Sequence, residues 1–552
     1  MNTSYLYHSP KGGARRGLSL LLVLALSIAV QAQDTYMNER LTNGSDDVIG
    51  TARYVGMGGA LGALGADMSV ISWNPAGIGL YRKNDVALTM GGIWGKSSIS
   101  EENRGKFTFD QAGFVFNMKT GGETCPYINF AFNFQKKINF NHNFYADNPN
   151  LHELSQLDQL AELTDWDNGT ENLEGMAWDN GFFGEKTLVD ASGNPLLDEE
   201  GKEIKYRYNQ YSSDRNEYTH HSEGSLQSFD FNVSTNVNDR AFFGLTIGVD
   251  NMRYRGWNYY REYYMPFDFD GKAKYDVENY DINISGTGVN VKLGTIIRPF
   301  EDKPFRFGFV VETPTWYRLK NSTWFDMVRQ PNNLGSRTEA WESYLKFNIR
   351  SPWKLRTSIG STIGSTLAWD VDYEYSAFRH TSMGYPENIY ADGSTSGNVK
   401  DKAMNQMTRD NMRGTHTLRI GLEANATKNL AFRLGYNLST SAYNKHISFD
   451  QYNLNSYAMD YATGTNFMRL GHTNILTLGA GYHTRSFYID LAYKIRHQKA
   501  DFYAFDTNFT NSNQELIPQF VLDNPALADV TIDPVGVDLT RQTITCTLGF
   551  KF

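Results

Sequence analysis

The chain has 552 residues, a net charge of -9 and a sequence pI near 5.7, an acidic balance that excludes the basic field a nucleic-acid binder presents. A mean hydropathy of -0.49 excludes a bundle of membrane helices. Aromatic residues at 14% can furnish interfacial girdles, whereas two cysteines, Cys125 and Cys546, exclude a disulfide framework and leave one bridge between them open.

Lys11, Arg15 and Arg16 precede an apolar run over 18–30, and Val30 and Ala32 suit cleavage before Gln33. Residues 1–32 therefore read as an export signal, because a run of about 13 residues is too short to span a bilayer as a helix. Residues 33–84 are rich in Gly and Ala, hold little alternation, and read as a compact hatch or plug.

Residues 85–552 alternate apolar and polar side chains in segment after segment, the pattern of an all-β, 14-stranded antiparallel transmembrane barrel with the hatch in its lumen. The expected strands are 86–94, 107–118, 128–140, 229–237, 243–252, 282–297, 305–315, 344–363, 367–375, 418–424, 430–436, 476–482, 487–495 and 538–552. In the third, Ile128, Phe130, Phe132 and Phe134 face outward. Lys136 then also faces outward, at ~2–4 kcal/mol near the midplane, unless it sits at the interface or the strand is distorted. Pro352 cannot donate to a ladder and predicts a kink or bulge in 344–363. In the last strand Ile544, Leu548, Phe550 and Phe552 share one face, and Thr543, Thr545 and Thr547 the other.

Short connections such as 426–429 and 483–486 mark a periplasmic rim. Long ones, 141–224, 255–275, 379–413, 441–472 and 501–534, mark the outer rim. Within the longest, Leu151, Leu154, Leu157, Leu160 and Leu163 recur at helical spacing and predict a short amphipathic helix over the mouth. These leucines either pack the loop on itself or face a ligand. Trp257, Tyr259, Tyr260, Tyr263, Tyr264 and Phe267 read equally as a ligand groove or an interfacial girdle. The candidate groove comprises Leu154, Leu157, Leu160, Trp257 and Tyr260.

Lys354 and Arg356 share the inner face of one strand, and Asp370, Asp372 and Glu374 that of the next. A turn at 363–365 would pair Arg356 with Asp372 and Lys354 with Glu374. Wall reinforcement is the plainer role for this ladder, substrate-carboxylate binding the sharper one; Arg419 and Arg433 are further luminal cations. His220 and His221 adjoin and could ligate haem, and Asp268 to Gly271 resembles a calcium loop lacking its closing Glu. No Ser, His and Asp arrangement falls at one rim, so no enzyme, catalytic residue, metal or cofactor is assigned.

The segment 50–77 is more specific. It runs Gly50, Thr51, Ala52, Arg53, Tyr54, Val55, Gly56, Met57, Gly58, Gly59, Ala60, then through Asp67 to Asn74, Pro75, Ala76 and Gly77. Its glycines permit positive φ and close backbone approach, and Asn74 and Pro75 pre-set a tight turn. A dinucleotide-binding loop is excluded, since Leu61 stands where a third glycine belongs. The segment resembles the hatch of the FadL/TodX family of outer-membrane channels, with its Asn-Pro-Ala turn. The likeness extends to the stretches 286–294, 313–317 and 351–356, and is similar to the branch found in Bacteroidetes. The resemblance implies a hatch site of Arg53, Gly56, Gly58, Asn74, Pro75, Ala76 and Gly77. It also implies passive uptake of a hydrophobic small molecule, such as a long-chain fatty acid, by a monomer among outer-membrane lipids. The family's inward kink in strand three has no Gly or Pro to carry it in 128–134. The alternatives are a barrel anchor in protein secretion and a haem receptor. A continuous apolar space between the hatch and the 141–224 loop would mark a transporter, and a filled bore a secretion partner.

Overall fold

In a computed structural model of the protein, the described residues are 47–95, 105–163, 172–187, 189, 193–197, 200–209, 211–265, 274–330, 340–390, 393–444, 461, 463–505 and 532–552. The expected export signal and the calcium-like run at 268–271 lie outside them.

Fourteen antiparallel strands close into one barrel. They are β1 (Asp85–Gly95), β2 (Lys106–Lys119), β3 (Tyr127–Asn139, extended by His142–Asn148), β4 (Ser212–Val237), β5 (Ala241–Met265), β6 (Lys274–Ile297) and β7 (Arg306–Glu312 and Trp316–Gln330). β8 (Trp341–Arg350 and Lys354–Ile363), β9 (Leu367–Ala377), β10 (Gly414–Asn425), β11 (Leu430–Ser439), β12 (Phe467–His483), β13 (Phe487–Tyr503) and β14 (Arg541–Lys551) complete it. β14 returns to pair with β1 from Lys551 opposite Asp85 to Arg541 opposite Gly95, which leaves the sheet without an edge.

The period-two pattern places the apolar set outside. On β5 Phe243, Leu245 and Ile247 are exposed on the outer face and Val249 is half-buried there, while Phe242, Thr246 and Asp250 are buried inside. Outward apolar side chains recur around the barrel, from Val86 and Leu88 on β1 to Ile544, Leu548 and Phe550 on β14. Water cannot wet such a belt without penalty; lipid can.

Above the belt the alternation keeps its period but exchanges its chemistry. On β5 the outward residues become Arg253 and Arg255, and the inward ones Met252 and Tyr254. The wall there stands in water and wraps its own apolar filling. This corrects the expected long loops: β5 runs to Met265, β6 starts at Lys274, β4 at Ser212, β12 at Phe467, and β13 ends at Tyr503. A search for outward grease ends each strand too early.

Three irregularities shape the wall. In β3, Lys137 has no partner on β4 because the register shifts between Lys136 and Ile138. This shift is the strand distortion that the sequence offered as the alternative to an outward Lys136 near the midplane. Its ammonium turns to Thr108 Oγ1 at 2.6 Å, and that of Lys137 to Asp250 at 2.8 Å, both on the luminal side. In β7 and β8 the strands break side by side at Pro314 and Pro352. Two hydroxyls replace ladder groups there: Thr313 Oγ1 accepts from Val291 N at 3.0 Å and Ser351 Oγ from Thr315 N at 2.8 Å. The break at Pro352 matches the expectation; that at Pro314 lies where a strand end was expected.

The β8–β9 hairpin corrects the expected ion ladder. Ile363 pairs with Leu367 instead of lying in the turn, and Gly364, at φ 58°, opens a three-residue turn, so Arg356 lies opposite Glu374, Lys354 opposite Ser376 and Ser358 opposite Asp372. The register is displaced by two residues, which keeps every side chain on its predicted inner face.

Candidate functional site

Residues 47–84 pack against inward-facing residues of β2, β3, β4, β5, β9, β13 and β14. The strand-to-hatch joint is fixed by Asn84 and Phe552, each donating its N–H to the other's carbonyl at 3.2 Å. Asp67 caps the turn Met68–Ser72, accepting from Ser69 N and, at 2.8 Å, from Thr51 Oγ1. Asn74 caps the turn Pro75–Leu80: its Oδ1 accepts from Ala76 N at 3.2 Å and its Nδ2 donates to Gly62 O at 2.7 Å. Short polar side chains thus do locally what a helix would do with its backbone.

Contacts run round the circumference. Gln111 on β2 accepts from Ser69 Oγ, Asn129 on β3 donates to Ile78 O, and Ser234 on β4 donates to Pro75 O. Lys494 on β13 donates to Val48 O and Thr547 on β14 accepts from Ala52 N. Glycines on both sides bring the backbones together. A Cβ at Gly244 would lie 2.3 Å from the Pro75 carbonyl carbon, one at Gly294 2.2 Å from Asn74 Oδ1, and one at Gly435 2.1 Å from Gly58 N. Gly58 itself has φ 64°, and a Cβ at Gly56 would meet Gly479 at 3.2 Å. Gly77 packs on Val70 within the hatch.

Charge completes the closure. The indole of Trp73 lies between two guanidinium groups, Arg419 at 3.4 Å and Arg356 at 4.3 Å from its ring centre, and donates Nε1–H to Asp372 at 2.7 Å. Cation–π contacts of this desolvated kind are worth about 2 kcal/mol or more each. Asp372 and Asp370 also accept the backbone N–H groups of Gly62, Ala63 and Leu64. Arg356 is held by Glu374 and Glu312, each at 2.5 Å. Arg53 makes a forked pair with Glu423, and Arg433 joins Glu423 to Asp490 at 2.6 Å each. The predicted luminal set of Lys354, Arg356, Asp372, Glu374, Arg419 and Arg433 thus faces inward. Most of it grips the hatch and wall.

Between hatch and upper wall lies a cavity of about 60 Å³, lined by Trp73, Lys137, Lys292, Lys354, Arg356 and Arg419 among others. It also reaches Thr315, Ser351 and Pro352 at the paired strand breaks. Above it the inner wall is apolar, with Leu226, Met252, Ile284, Leu319, Leu345 and Phe347 in one buried cluster.

The outer mouth is filled by described parts of the 141–224 segment. Leu157 and Leu160 of the helix Gln156–Leu163, with Met176 and Phe182, pack against Tyr218, Tyr260, Tyr275 and Phe502 of the inner wall. The helix lies inside the mouth rather than over it, and Leu151 and Leu154 are also fully buried. Leu157, Leu160 and Tyr260 do come together, but Trp257 stands on the opposite face of β5, stacked on Tyr259 and bonded to Glu278. The expected loop groove is corrected to a strand with two unlike faces. His220 and His221 diverge for the same reason, His220 inward against Phe144 and bonded to Asn258 at 2.6 Å. Adjacent strand positions cannot aim two imidazoles at one iron. Cys125 and Cys546 are both free.

Glu262, wholly buried, anchors this cap by accepting from Ser155 Oγ, Ser213 Oγ, Tyr260 and Tyr275, and from Gln156 N at 3.1 Å. Sequence reading missed it, because an acid inside an aromatic strand segment gives no periodic signal. Burial pushes the Asp158 carboxyl up to about 7 and raises Glu262 as well. A carboxyl raised on folding favours the folded state while protonated, so cap docking is expected to weaken as pH rises from about 4 through about 7. Hydrogen exchange over 149–211 at pH 5 and pH 8 should show faster exchange at pH 8, beyond the intrinsic rate change, with Asp158→Asn reducing that excess.

A closed barrel with an apolar outer belt and a filled bore is an integral β-barrel of the outer-membrane class. No protein-family model matches the chain, and no curated protein matches it in sequence. Among solved structures it is similar in fold to a FadL homologue of Pseudomonas aeruginosa, with 12% identity, a TM-score of 0.48 and coverage of 92% of this chain and 99% of that one. It is also similar to the toluene transporter TodX of P. putida, with 9% identity, TM-score 0.46 and coverage of 92% and 99%. The CymD monoaromatic hydrocarbon channel gives 11%, 0.46, and 92% and 98%.

Proposed function

We propose that this barrel is a passive outer-membrane channel for hydrophobic molecules, with long-chain fatty acids as the candidate substrate. One observation carries the reading: above the hatch the barrel is lined on its inside by apolar wall residues and stands in water on its outside. A chain of 16 methylenes would leave water with a gain of about 13 kcal/mol at ~0.8 kcal/mol each, so capture is easy and release demands a moving part. The hatch, held by reversible ion pairs and glycine contacts, supports that role, and a substrate carboxylate would have to displace Asp250 from Lys137 or Asp230 from Lys292.

The cavity of about 60 Å³ holds no such molecule, so uptake requires the cap and hatch to shift. A filled bore also favours the second reading, a barrel anchoring a secretion partner. The two separate on one variant. Leu319→Asp and Phe347→Asp place carboxylates on the apolar inner wall. Uptake of radiolabelled palmitate by cells carrying the variant should fall more than tenfold if the channel reading holds. Unchanged uptake with intact folding would favour the anchor.

A further inference from the structure

The outer face of β5–β8 carries a cationic patch above an apolar hollow, Arg318 standing three rungs over the hollow's upper rung of Leu245, Leu293 and Val311, and the two together have the chemistry of an amphiphile. Strand pairing orders the face into rungs. The highest apolar rung sets Val249, Val289 and Trp316 side by side. One rung higher stand Thr287 and Arg318, and one higher again Arg253, Ser285, Lys320 and Lys346, with Arg350 beside Trp316. Their neighbours in sequence, Met252, Leu319, Leu345, Phe347 and Ile349, are buried inside, so these cations point away from the bore.

Among the described residues no carboxylate pairs with them, and Lys346 lies 5.9 Å over the ring of Tyr344. Lys320 and Lys346 are direct cross-strand partners, an arrangement that destabilises a sheet. Among the described residues Arg253, Arg318, Lys320 and Arg350 form no ion pair, Lys346 donates only to Gly393 O at 2.7 Å, and Glu342 accepts from Ser322. Each rung rises ~7 Å along the strand, or about 5 Å vertically at a tilt of ~40°. Measured along each strand, Arg350 therefore stands level with the hydrocarbon edge and Arg318, Arg253, Lys320 and Lys346 about 5 to 10 Å above it.

Below them, in the membrane-facing wall of β4–β8, lies an outer hollow of about 760 Å³ lined by Phe243, Leu245, Leu293, Phe309, Val311 and Leu355 among others. It lies where the wall closes on the hatch, at Gly244 and Gly294.

We propose that this sector binds a phosphate-bearing lipid of the outer leaflet, its phosphate on the Arg318, Lys320, Lys346 and Arg253 rungs and an acyl chain in the hollow. The site rests on the barrel standing in a membrane and not on what passes through the bore. Arginine and lysine at this height attract lipid phosphate, and the attraction is screened by salt.

The test is native mass spectrometry of the full barrel in non-ionic detergent, titrated with diphosphoryl lipid A, dephosphorylated lipid A and inorganic phosphate. Wild type should retain diphosphoryl lipid A at least tenfold more tightly than the dephosphorylated form. Arg253→Gln, Arg318→Gln, Lys320→Gln and Lys346→Gln combined should lose that preference, and Val311→Trp, which fills the hollow, should weaken lipid without altering charge. Lys499→Gln, on the outer face of β13 opposite Asp538, should change nothing. Equal retention by the fourfold variant, an equal loss in Lys499→Gln, or inorganic phosphate competing as tightly as the lipid would each overturn the site.

Discussion

Gly244→Leu should release the hatch while leaving the barrel formed. A Cβ there would lie 2.3 Å from the carbonyl carbon of Pro75 and 2.5 Å from the nitrogen of Ala76, both backbone atoms that cannot rotate away. The strand itself tolerates leucine, since β5 is held by pairing on both sides at this position. The weaker partner must give. The turn Pro75–Leu80 is held by a few polar contacts, among them Ser234 to Pro75 O at 2.9 Å and Asn129 to Ile78 O at 2.8 Å. Net hydrogen bonds are worth about 1 kcal/mol each, whereas breaking the wall would unzip a ladder of many. The expected result is at least tenfold faster hydrogen exchange over 47–84, with the heat-modifiable gel mobility of the folded barrel retained. Gly95→Ala, whose Cβ would meet nothing nearer than 3.6 Å, should leave both unchanged.

Arg356→Gln should cost more stability than any other single change in the lumen. Its guanidinium stands between Glu374 and Glu312, donates to Trp73 O at 3.2 Å and covers one face of that indole. Removing it leaves two buried carboxylates short of their shared cation, and breaking a buried pair costs about 3–5 kcal/mol. Arg433→Gln is the contrast. Glu423 keeps Arg53 at 2.9 Å and Asp490 keeps His483 at 2.9 Å, so the loss is shared out and should be no more than half as large. Urea unfolding followed by tryptophan fluorescence should show the larger drop in midpoint for Arg356→Gln. Adding Glu312→Gln to it should recover part, because the second charge is then no longer stranded.

The membrane half of this molecule could be read from its sequence, and the reason is geometric. Lipid imposes one rule on every second residue, so Phe243, Leu245 and Ile247 announce their strand without help from any other element. Above Val249 that rule lapses. Arg253 and Arg255 alternate with Met252 and Tyr254 as strictly as before, but with the apolar set turned inward, and a reader following outward grease sees a loop. The β8–β9 register was out of reach for a different reason. Moving the pairing by two residues keeps Arg356, Asp372 and Glu374 on the same face, so periodicity cannot choose between the alternatives and only the Gly364 turn does.

The hatch was legible as a special segment through its glycines and its Asn74–Pro75 turn, and its partners were not. Wall residues such as Gly244, Gly294 and Gly435 look like weak points in strands until the backbone they admit is known. Trp73, which sequence reading did not single out, turned out to lie at the centre of the closure between Arg356 and Arg419. A tryptophan immediately before a predicted turn, in a chain with paired inward arginines, was the available signal.

The claim on which the account most depends is that hydrophobic molecules pass only when residues 47–84 shift in the bore. Ala52→Cys with Thr547→Cys, in a chain lacking Cys125 and Cys546, would tie the hatch to β14 where Ala52 N and Thr547 Oγ1 lie 2.7 Å apart. Uptake of radiolabelled palmitate should stop in the oxidised protein and return when the bridge is reduced. Equal uptake in both states, with the bridge shown to be formed, would contradict the account.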